Sequence, residues 1–236
     1  VWGSAVATKQ QRVDLTILIP CYNEEESIAE CVNAIPEMPW STEILVVDGG
    51  STDNTFKITK SLKKPGLRVI GYKPSRSKGY ACAFGLKHAR GKVTVIQDVD
   101  MNPADIPQVV RPIFEGRADF VNGTRMILPM EPGAMSRLNR FGNKWIFATL
   151  VSLVIRQRLT DALCGYKAFY TDMLRNKLKE DNWPDFEMII NAKRAGARIV
   201  EIPIRYVARK HGAAKMKPIQ HGWSMLKMLA KLAVKR

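Results

Sequence analysis

Short β-branched runs alternate with stretches of helical periodicity along most of the chain. Leu15-Thr16-Ile17-Leu18-Ile19-Pro20 is an apolar run closed by proline, the pattern of a central strand in a parallel sheet. Ile28, Cys31, Val32 and Ile35 then recur at helical spacing, with Asn23 as the expected N-cap and Glu24, Glu25 and Glu26 suited to a helix N-terminus. A second strand is expected over Glu43-Ile44-Leu45-Val46-Val47-Asp48. The turn Gly49-Gly50-Ser51-Thr52-Asp53 should lead into a helix carrying Phe56, Ile58 and Leu62. A third strand follows at Arg68-Val69-Ile70-Gly71-Tyr72. Lys78-Gly79-Tyr80 then leads into a small-residue helix over 81–89, and Val93-Thr94-Val95-Ile96 is a fourth strand. A helix over 106–114 and a strand and turn over 119–125 complete the first half. This alternation predicts an α/β layered fold with a parallel sheet.

After Arg125 the pattern changes. Residues 127–136 contain Pro, Met and Gly and are expected to form a mobile loop. A helix rich in apolar residues is expected over 136–155, with Arg137, Arg140 and Lys144 in its first part. Strands are expected at 165–169 and 198–204, with a helix near 186–195 between them. In the tail, 219–236, Ser224, Lys227, Lys231 and Lys235 form a narrow stripe, and Trp223, Met225, Leu226, Met228, Leu229, Leu232 and Val234 cover most of the rest. Such a helix suits either a lipid interface or a docking site on the protein's own core. The longest apolar run, 145–155, falls well short of the roughly 20 residues a bilayer span needs. The expectation is a chain that lies on a membrane without crossing it.

Charge adds a preference for anions. The 236 residues carry a net charge of +15, which suits phosphorylated substrates, an anionic membrane surface or nucleic acid. Nucleic acid is disfavoured, because no recognised motif is present and the aromatics are not interleaved with a basic stripe. Cys21, Cys31, Cys82 and Cys164 are scattered, with no Cys-x-x-Cys pair, and are expected to be reduced thiols in a cytosolic setting. The three histidines are too few for a histidine-rich metal site. The first nine residues, which do not begin with Met, are expected to be either a trimmed terminus or a remnant of cloning.

The candidate chemistry centres on Asp98-Val99-Asp100, directly after the fourth strand. Ligands of open parallel sheets bind at the carboxyl ends of the strands. Two carboxylates there can hold Mg²⁺ or Mn²⁺ together with substrate phosphates. The plain alternative is an exposed turn with two solvated aspartates.

Several segments together resemble family 2 glycosyltransferases of the GT-A fold. They are Pro20-Cys21-Tyr22-Asn23-Glu24, Val46-Val47-Asp48-Gly49-Gly50-Ser51-Thr52-Asp53, the Lys78-Gly79 turn and Asp98-Val99-Asp100. Asn122-Gly123-Thr124-Arg125, Thr160-Asp161-Ala162-Leu163-Cys164-Gly165-Tyr166-Lys167 and Arg209-Lys210-His211-Gly212-Ala213-Ala214-Lys215-Met216 resemble the polyprenyl-phosphate branch, of the dolichol-phosphate mannosyltransferase type. The resemblance implies a GT-A (Rossmann-like) domain over 13–210, with a mixed, mainly parallel sheet flanked by helices. An interface helix near 136–155 and a separate amphipathic helix over 217–236 are expected with it.

The activity implied is inverting, metal-dependent transfer from a nucleotide-diphosphate sugar to a polyprenyl monophosphate, at the cytoplasmic face of a membrane. Carried onto this chain, Pro20, Tyr22, Glu24 and Asp48 would line the nucleoside pocket, with Lys78 and Gly79 near the donor. Asp98 and Asp100 would face Mg²⁺ or Mn²⁺ and the sugar diphosphate, with Asn102 offering an amide to them. Arg125, Arg137, Arg140, Arg209 and Lys215 would be candidates for the acceptor phosphate or leaving diphosphate. Two departures stand out: Gly49 replaces a carboxylate of the common Asp-Asp-Gly-Ser, and Asn102 replaces a glutamine.

A lipid phosphate is already anionic, so its transfer needs positioning and electrostatics but no general base. A hydroxyl acceptor would need a base, and Asp185 and Glu187 are the candidates; Asp161 could serve catalysis or brace its own loop. The competing reading outside enzymes is a nucleotide-sugar-binding or membrane-scaffold protein, against which Asp98 and Asp100 argue.

Overall fold

The computed structural model describes residues 13–179, 182–208 and 218–234. The first half runs β1 (Leu15–Cys21), α1 (Ile28–Asn33), β2 (Thr42–Asp48), α2 (Thr55–Ser61), β3 (Leu67–Gly71), α3 (Lys78–His88), β4 (Val93–Ile96), α4 (Ile106–Phe114) and β5 (Phe120–Thr124). The second half runs α5 (Arg137–Phe141), a π-helical turn (Gly142–Phe147), α6 (Ala148–Ile155), β6 (Lys167–Tyr170), α7 (Thr171–Leu174), α8 (Pro184–Arg194), β7 (Ile199–Pro203) and α9 (Pro218–Val234). The strands form a seven-stranded sheet in the order β3-β2-β1-β4-β6-β5-β7. Among the described residues only β6 runs against the rest, pairing antiparallel with β4 and β5. This is the mixed, mainly parallel sheet expected.

Strand alternation divides the core in two. Leu18, Leu45, Val47 and Ile96 point to the face covered by α3, α6, α8 and α9. Ile17, Ile19, Ile44, Val46 and Val95 point to the face covered by α1 and α4. Both faces are covered, which accounts for the near-continuous apolar runs. The small residues of α3 let it lie close on the sheet: a Cβ on Gly85 would fall 2.6 Å from Leu18 Cδ1 and 2.9 Å from Val47 Cγ2.

Several helix boundaries differ from expectation. Asn23 does not cap α1, which starts at Ile28 with Ser27 before it. Asn23 has φ 51°, and its Oδ1 accepts from Thr52 N at 2.8 Å. Glu24, Glu25 and Glu26 therefore precede the helix. α2 buries Thr55 and Thr59, with Phe56 exposed. α3 begins at Lys78 itself, because Ser77 Oγ caps it by accepting from Tyr80 N at 3.2 Å. The long helix expected over 136–155 forms from Arg137 to Ile155, but it carries the π-helical turn in its middle. Such a turn adds one residue to the helix and re-aims its neighbours; here it encloses Asn143, which is buried. No helix or strand forms over 127–136.

The tail helix α9 is docked. Met225, Met228, Leu229 and Leu232 are buried in the core beside α6 and α8. Burying each such side chain is worth about 1.5–3 kcal/mol, so four of them hold the helix on its own protein. That apolar face is not offered to lipid, although Trp223 remains 64% exposed. No helix among the described residues is long and apolar enough to cross a membrane.

Candidate active site

Parallel register brings the carboxyl ends of the central strands together. Cys21 pairs with Asp48, Asp48 with Gly71, and Leu18 with Ile96. The segments after β1 and β2 are stitched side by side. Glu24 N donates to Thr55 Oγ1 at 2.8 Å, Asn54 N to Glu25 Oε2 at 2.9 Å, and Asn23 N to Ser51 Oγ at 3.0 Å. The Tyr-Asn-Glu and Ser-Thr-Asp motifs thus hold one another. Asp53 is part of this lacing: its Oδ1 accepts from Thr55 N at 2.9 Å and its Oδ2 from Glu25 N at 3.2 Å.

A cavity of about 380 Å³ lies at these strand ends. Pro20, Tyr22, Glu24, Gly49, Tyr72, Lys78, Asp98 and Asp100 help to line it. Asp48 Oδ2 accepts from Gly50 N at 3.1 Å and Ser51 N at 3.0 Å. Its Oδ1 is buried without a hydrogen-bond partner among the described residues, as is Tyr72 Oη. Unpartnered buried acceptors are costly and mark places where a ligand group would be stabilising. Gly50 requires its positive φ of 81° for the tight turn. At Gly49, a Cβ would come 3.2 Å from Cys21 O and 3.4 Å from Tyr72 Oη. The space where the resemblance expects a carboxylate is therefore bordered by a tyrosine hydroxyl. Burial pushes the Tyr72 phenol up to about 12, so it remains a neutral donor and acceptor.

Asp98 is gripped from two sides. Lys78 Nζ lies 2.6 Å from Asp98 Oδ2. On another side the chain approaches so closely that a Cβ on Gly165 would fall 2.2 Å from the same oxygen. Burial pushes the Asp98 carboxyl up against the pull of Lys78, and the Asp100 carboxylate adds to the rise. Lys78 stays charged, since Asp98 and Asp185 outweigh the effect of its burial. Gly79 is buried in the first turn of α3. Asn102 Oδ1 caps the next short turn, accepting from Ala104 N at 3.1 Å, while its backbone carbonyl accepts from Tyr166 Oη at 2.6 Å. No group of three His, Cys, Asp or Glu side chains among the described residues could hold a metal ion. Asp98 and Asp100 still suit Mg²⁺ or Mn²⁺, which typically take one or two carboxylates and complete their shell with water and substrate phosphates.

A larger cavity, about 900 Å³, adjoins this one and shares Lys78 and Asp100 with it. Arg125, Asn139, Asn143, Trp183, Asp185 and Tyr206 are among its lining residues, as are His221, Ser224 and Met225 of α9. Arg125 is engaged: Nε and Nη2 donate to Asp161 at 2.8 and 3.0 Å, and the guanidinium lies over the Tyr206 ring at 5.0 Å. Asp161 is wholly buried and also accepts from Asn143 Nδ2 at 2.6 Å. It braces this loop, one of the two roles open to it from sequence. Arg137 and Arg140 are exposed on α5, whereas Ser136 and Asn139 from the same stretch line the cavity. Arg209 and Lys215 lie outside the described residues.

Asp185 pairs with buried Lys167 at 3.1 Å. Burial would raise its carboxyl, but Lys167 and Lys78 hold it below the usual range. Glu187, also buried, accepts from Lys179 N at 2.9 Å instead of lining the cavity. Asn143, Tyr72 and Lys167 were not among the candidates from sequence. Nothing local marks Asn143 or Tyr72, which reach the site through the π-helical turn and the end of β3. Lys167 closes the segment Thr160–Lys167, and burial opposite Asp185 gives it its role.

The matched family model, glycosyl transferase family 2, covers residues 16–178, and the chain belongs to this family: it is a glycosyltransferase. Glycosyltransferase AglJ of Haloferax volcanii is 32% identical over 212 residues, covering 87% of this chain and 67% of that protein. The UDP-N-acetylglucosamine–dolichyl-phosphate N-acetylglucosaminyltransferase of Methanococcus voltae is 28% identical over 239 residues, covering 92% and 94%. Among solved structures, glucosyl-3-phosphoglycerate synthase from Mycobacterium tuberculosis, in complex with Mn²⁺, UDP and phosphoglyceric acid, superposes with a TM-score of 0.71. It is 19% identical, with 94% of this chain and 79% of that chain covered, and it supports the shared fold.

Proposed function

We propose that this enzyme transfers a sugar, with inversion, from a nucleotide-diphosphate sugar to a polyprenyl monophosphate at the cytoplasmic face of a membrane. The observation that carries the reading is the pair of cavities meeting at Lys78 and Asp100. A donor held in the smaller one would present its diphosphate to Asp98, Asp100 and Lys78. An acceptor in the larger one would approach the same point from the other side, the arrangement a single direct displacement requires.

Asp98 and Asp100 would hold Mg²⁺ or Mn²⁺, which when bound supplies a Lewis acid to neutralise the departing diphosphate. Lys78 adds positive charge at the same place. Asp185, with its carboxyl held low by two lysines, is a weak base. That favours an acceptor already ionised, such as a phosphate, over a hydroxyl. A lipid tail is suited by the exposed stripe Leu138, Phe141, Trp145, Ile146 and Leu153, with Arg137, Arg140 and Lys144 beside it. Exposed apolar groups interleaved with cations fit an anionic bilayer surface. The name of the Methanococcus voltae relative, a transferase to dolichyl phosphate, agrees with this acceptor.

The test has two arms. Thermal stability is measured against nucleoside diphosphates and nucleotide sugars with and without Mn²⁺, since a ligand of the folded state raises apparent stability by mass action. A metal-dependent rise with one base, lost in Asp98→Ala and Asp100→Ala, is expected. Labelled sugar from that donor should then appear on polyprenyl phosphate. Transfer to a sugar hydroxyl or glycolipid instead, abolished by Asp185→Asn, would replace the acceptor assignment. Donor binding with no turnover on any acceptor would favour a binding protein.

A further inference from the structure

We propose that Lys78 is the resident counter-cation of the donor site, exchanging with the divalent metal at Asp98 and thereby making metal binding conditional on the diphosphate. The proposal rests on the metal-dependent reading above.

Lys78 Nζ and a metal would compete for the Asp98 carboxylate, which Lys78 already holds at 2.6 Å. Asp98 Oδ2 has Lys78 at 2.6 Å on one side and the Gly165 backbone on another, close enough to exclude even a Cβ. Mg²⁺ binds carboxylate oxygen at about 2.0–2.1 Å, so a cation on Oδ2 would stand beside a like charge at a carboxylate only partly open to solvent. Lys78 must then turn away.

It has two places to go. Asp185 acts on it electrostatically and lines the neighbouring cavity. The diphosphate would lie in the cavity that Lys78 itself lines. Ser77 caps α3 and fixes the Lys78 backbone, while the four-carbon stem carries the ammonium. A metal arriving alone must break the Lys78–Asp98 pair. A metal arriving with a diphosphate gives Lys78 a new anion, so the two ligands favour each other's binding. Until then, Lys78 offsets the repulsion among Asp98, Asp100 and Asp185.

The test is isothermal titration of Mn²⁺ alone, and of UDP or GDP with Mn²⁺, into wild type and Lys78→Met, with Lys78→Gln as the second variant should the first not fold. Mn²⁺ alone should bind about fivefold more tightly to the variants, the equivalent of about 1 kcal/mol for a partly exposed ion pair. The nucleoside diphosphate with Mn²⁺ should bind about tenfold more weakly, as a charge-assisted contact is lost. The opposite signs are the signature. Unchanged Mn²⁺ affinity would show that Lys78 does not compete for Asp98, and unchanged nucleotide affinity that it does not move to the diphosphate. Either result overturns the exchange and leaves the metal site standing. No Mn²⁺ binding to any of the proteins, with or without nucleotide, removes the metal reading and the exchange with it.

Discussion

Replacing Asp161 with asparagine should destabilise the fold strongly at neutral pH, and the effect should fade in acid. The Asp161 carboxylate accepts five hydrogen bonds: three from Arg125 N, Nε and Nη2, one from Asn143 Nδ2 and one from Leu163 N. Oδ1 takes three of them and Oδ2 two. An asparagine keeps one acceptor oxygen and turns an amide toward the donors on the other side. At least two bonds are lost in either orientation, and the Arg125 charge stays buried without its counter-ion. Breaking a buried ion pair from one side costs about 3–5 kcal/mol, or roughly 6–20 °C in Tm for a domain of this size.

The acid dependence follows from the carboxyl itself. Burial would raise it, but Arg125 and its hydrogen bonds reverse this and hold it below the usual range. A depressed folded-state value gives stability that is complete above the unfolded carboxyl near about 3.9 and is lost as pH falls through the folded value. The gap between wild type and Asp161→Asn should therefore be widest near neutral pH and narrow below about pH 4. Urea denaturation at several pH values measures both. The double variant Arg125→Met/Asp161→Leu, which removes both charges, should recover much of the loss. A single variant within about 1 kcal/mol of wild type at pH 7 would refute the clamp and return Arg125 to the role of a free anion ligand.

Two further predictions concern the site and its surroundings. Gly165→Ala should leave the protein folded but abolish the Mn²⁺-dependent thermal shift with nucleotide, because its Cβ would fall 2.2 Å from Asp98 Oδ2; an undiminished shift would mean that Asp98 is free to move. Trp145→Ser with Leu153→Ser, at positions 62% and 70% exposed, should weaken binding to anionic liposomes in a flotation titration at least about thirtyfold at unchanged Tm, each lost apolar group contributing about 1–3 kcal/mol of lipid contact. Unaltered flotation would move the membrane contact away from α5 and α6.

Local pattern determined much of this protein. The apolar runs of β1, β2 and β4 are long enough, and doubly apolar enough, to name buried parallel strands on their own. Strand-end placement of Asp98 and Asp100 follows from them, and the order of short motifs already pointed to the family. Helix starts were less legible, because capping depends on which side chain reaches which amide. Asn23 had the right chemistry for a cap but turned to Thr52 instead, and Ser77 moved the start of α3 back to Lys78.

Tertiary structure alone decided the partners of the charges. Arg125 is an anion ligand by composition and half of a buried pair by geometry, since Asp161, thirty-six positions away, meets it across the sheet end. Lys78 faces Asp98 because α3 packs closely on β1 and β2 through Gly85. The amphipathic tail was compatible with lipid or with core; the apolar face left open beside α6 and α8 made it core. Sequence periodicity specifies that a face must be buried, but what buries it depends on which surfaces the rest of the chain leaves uncovered.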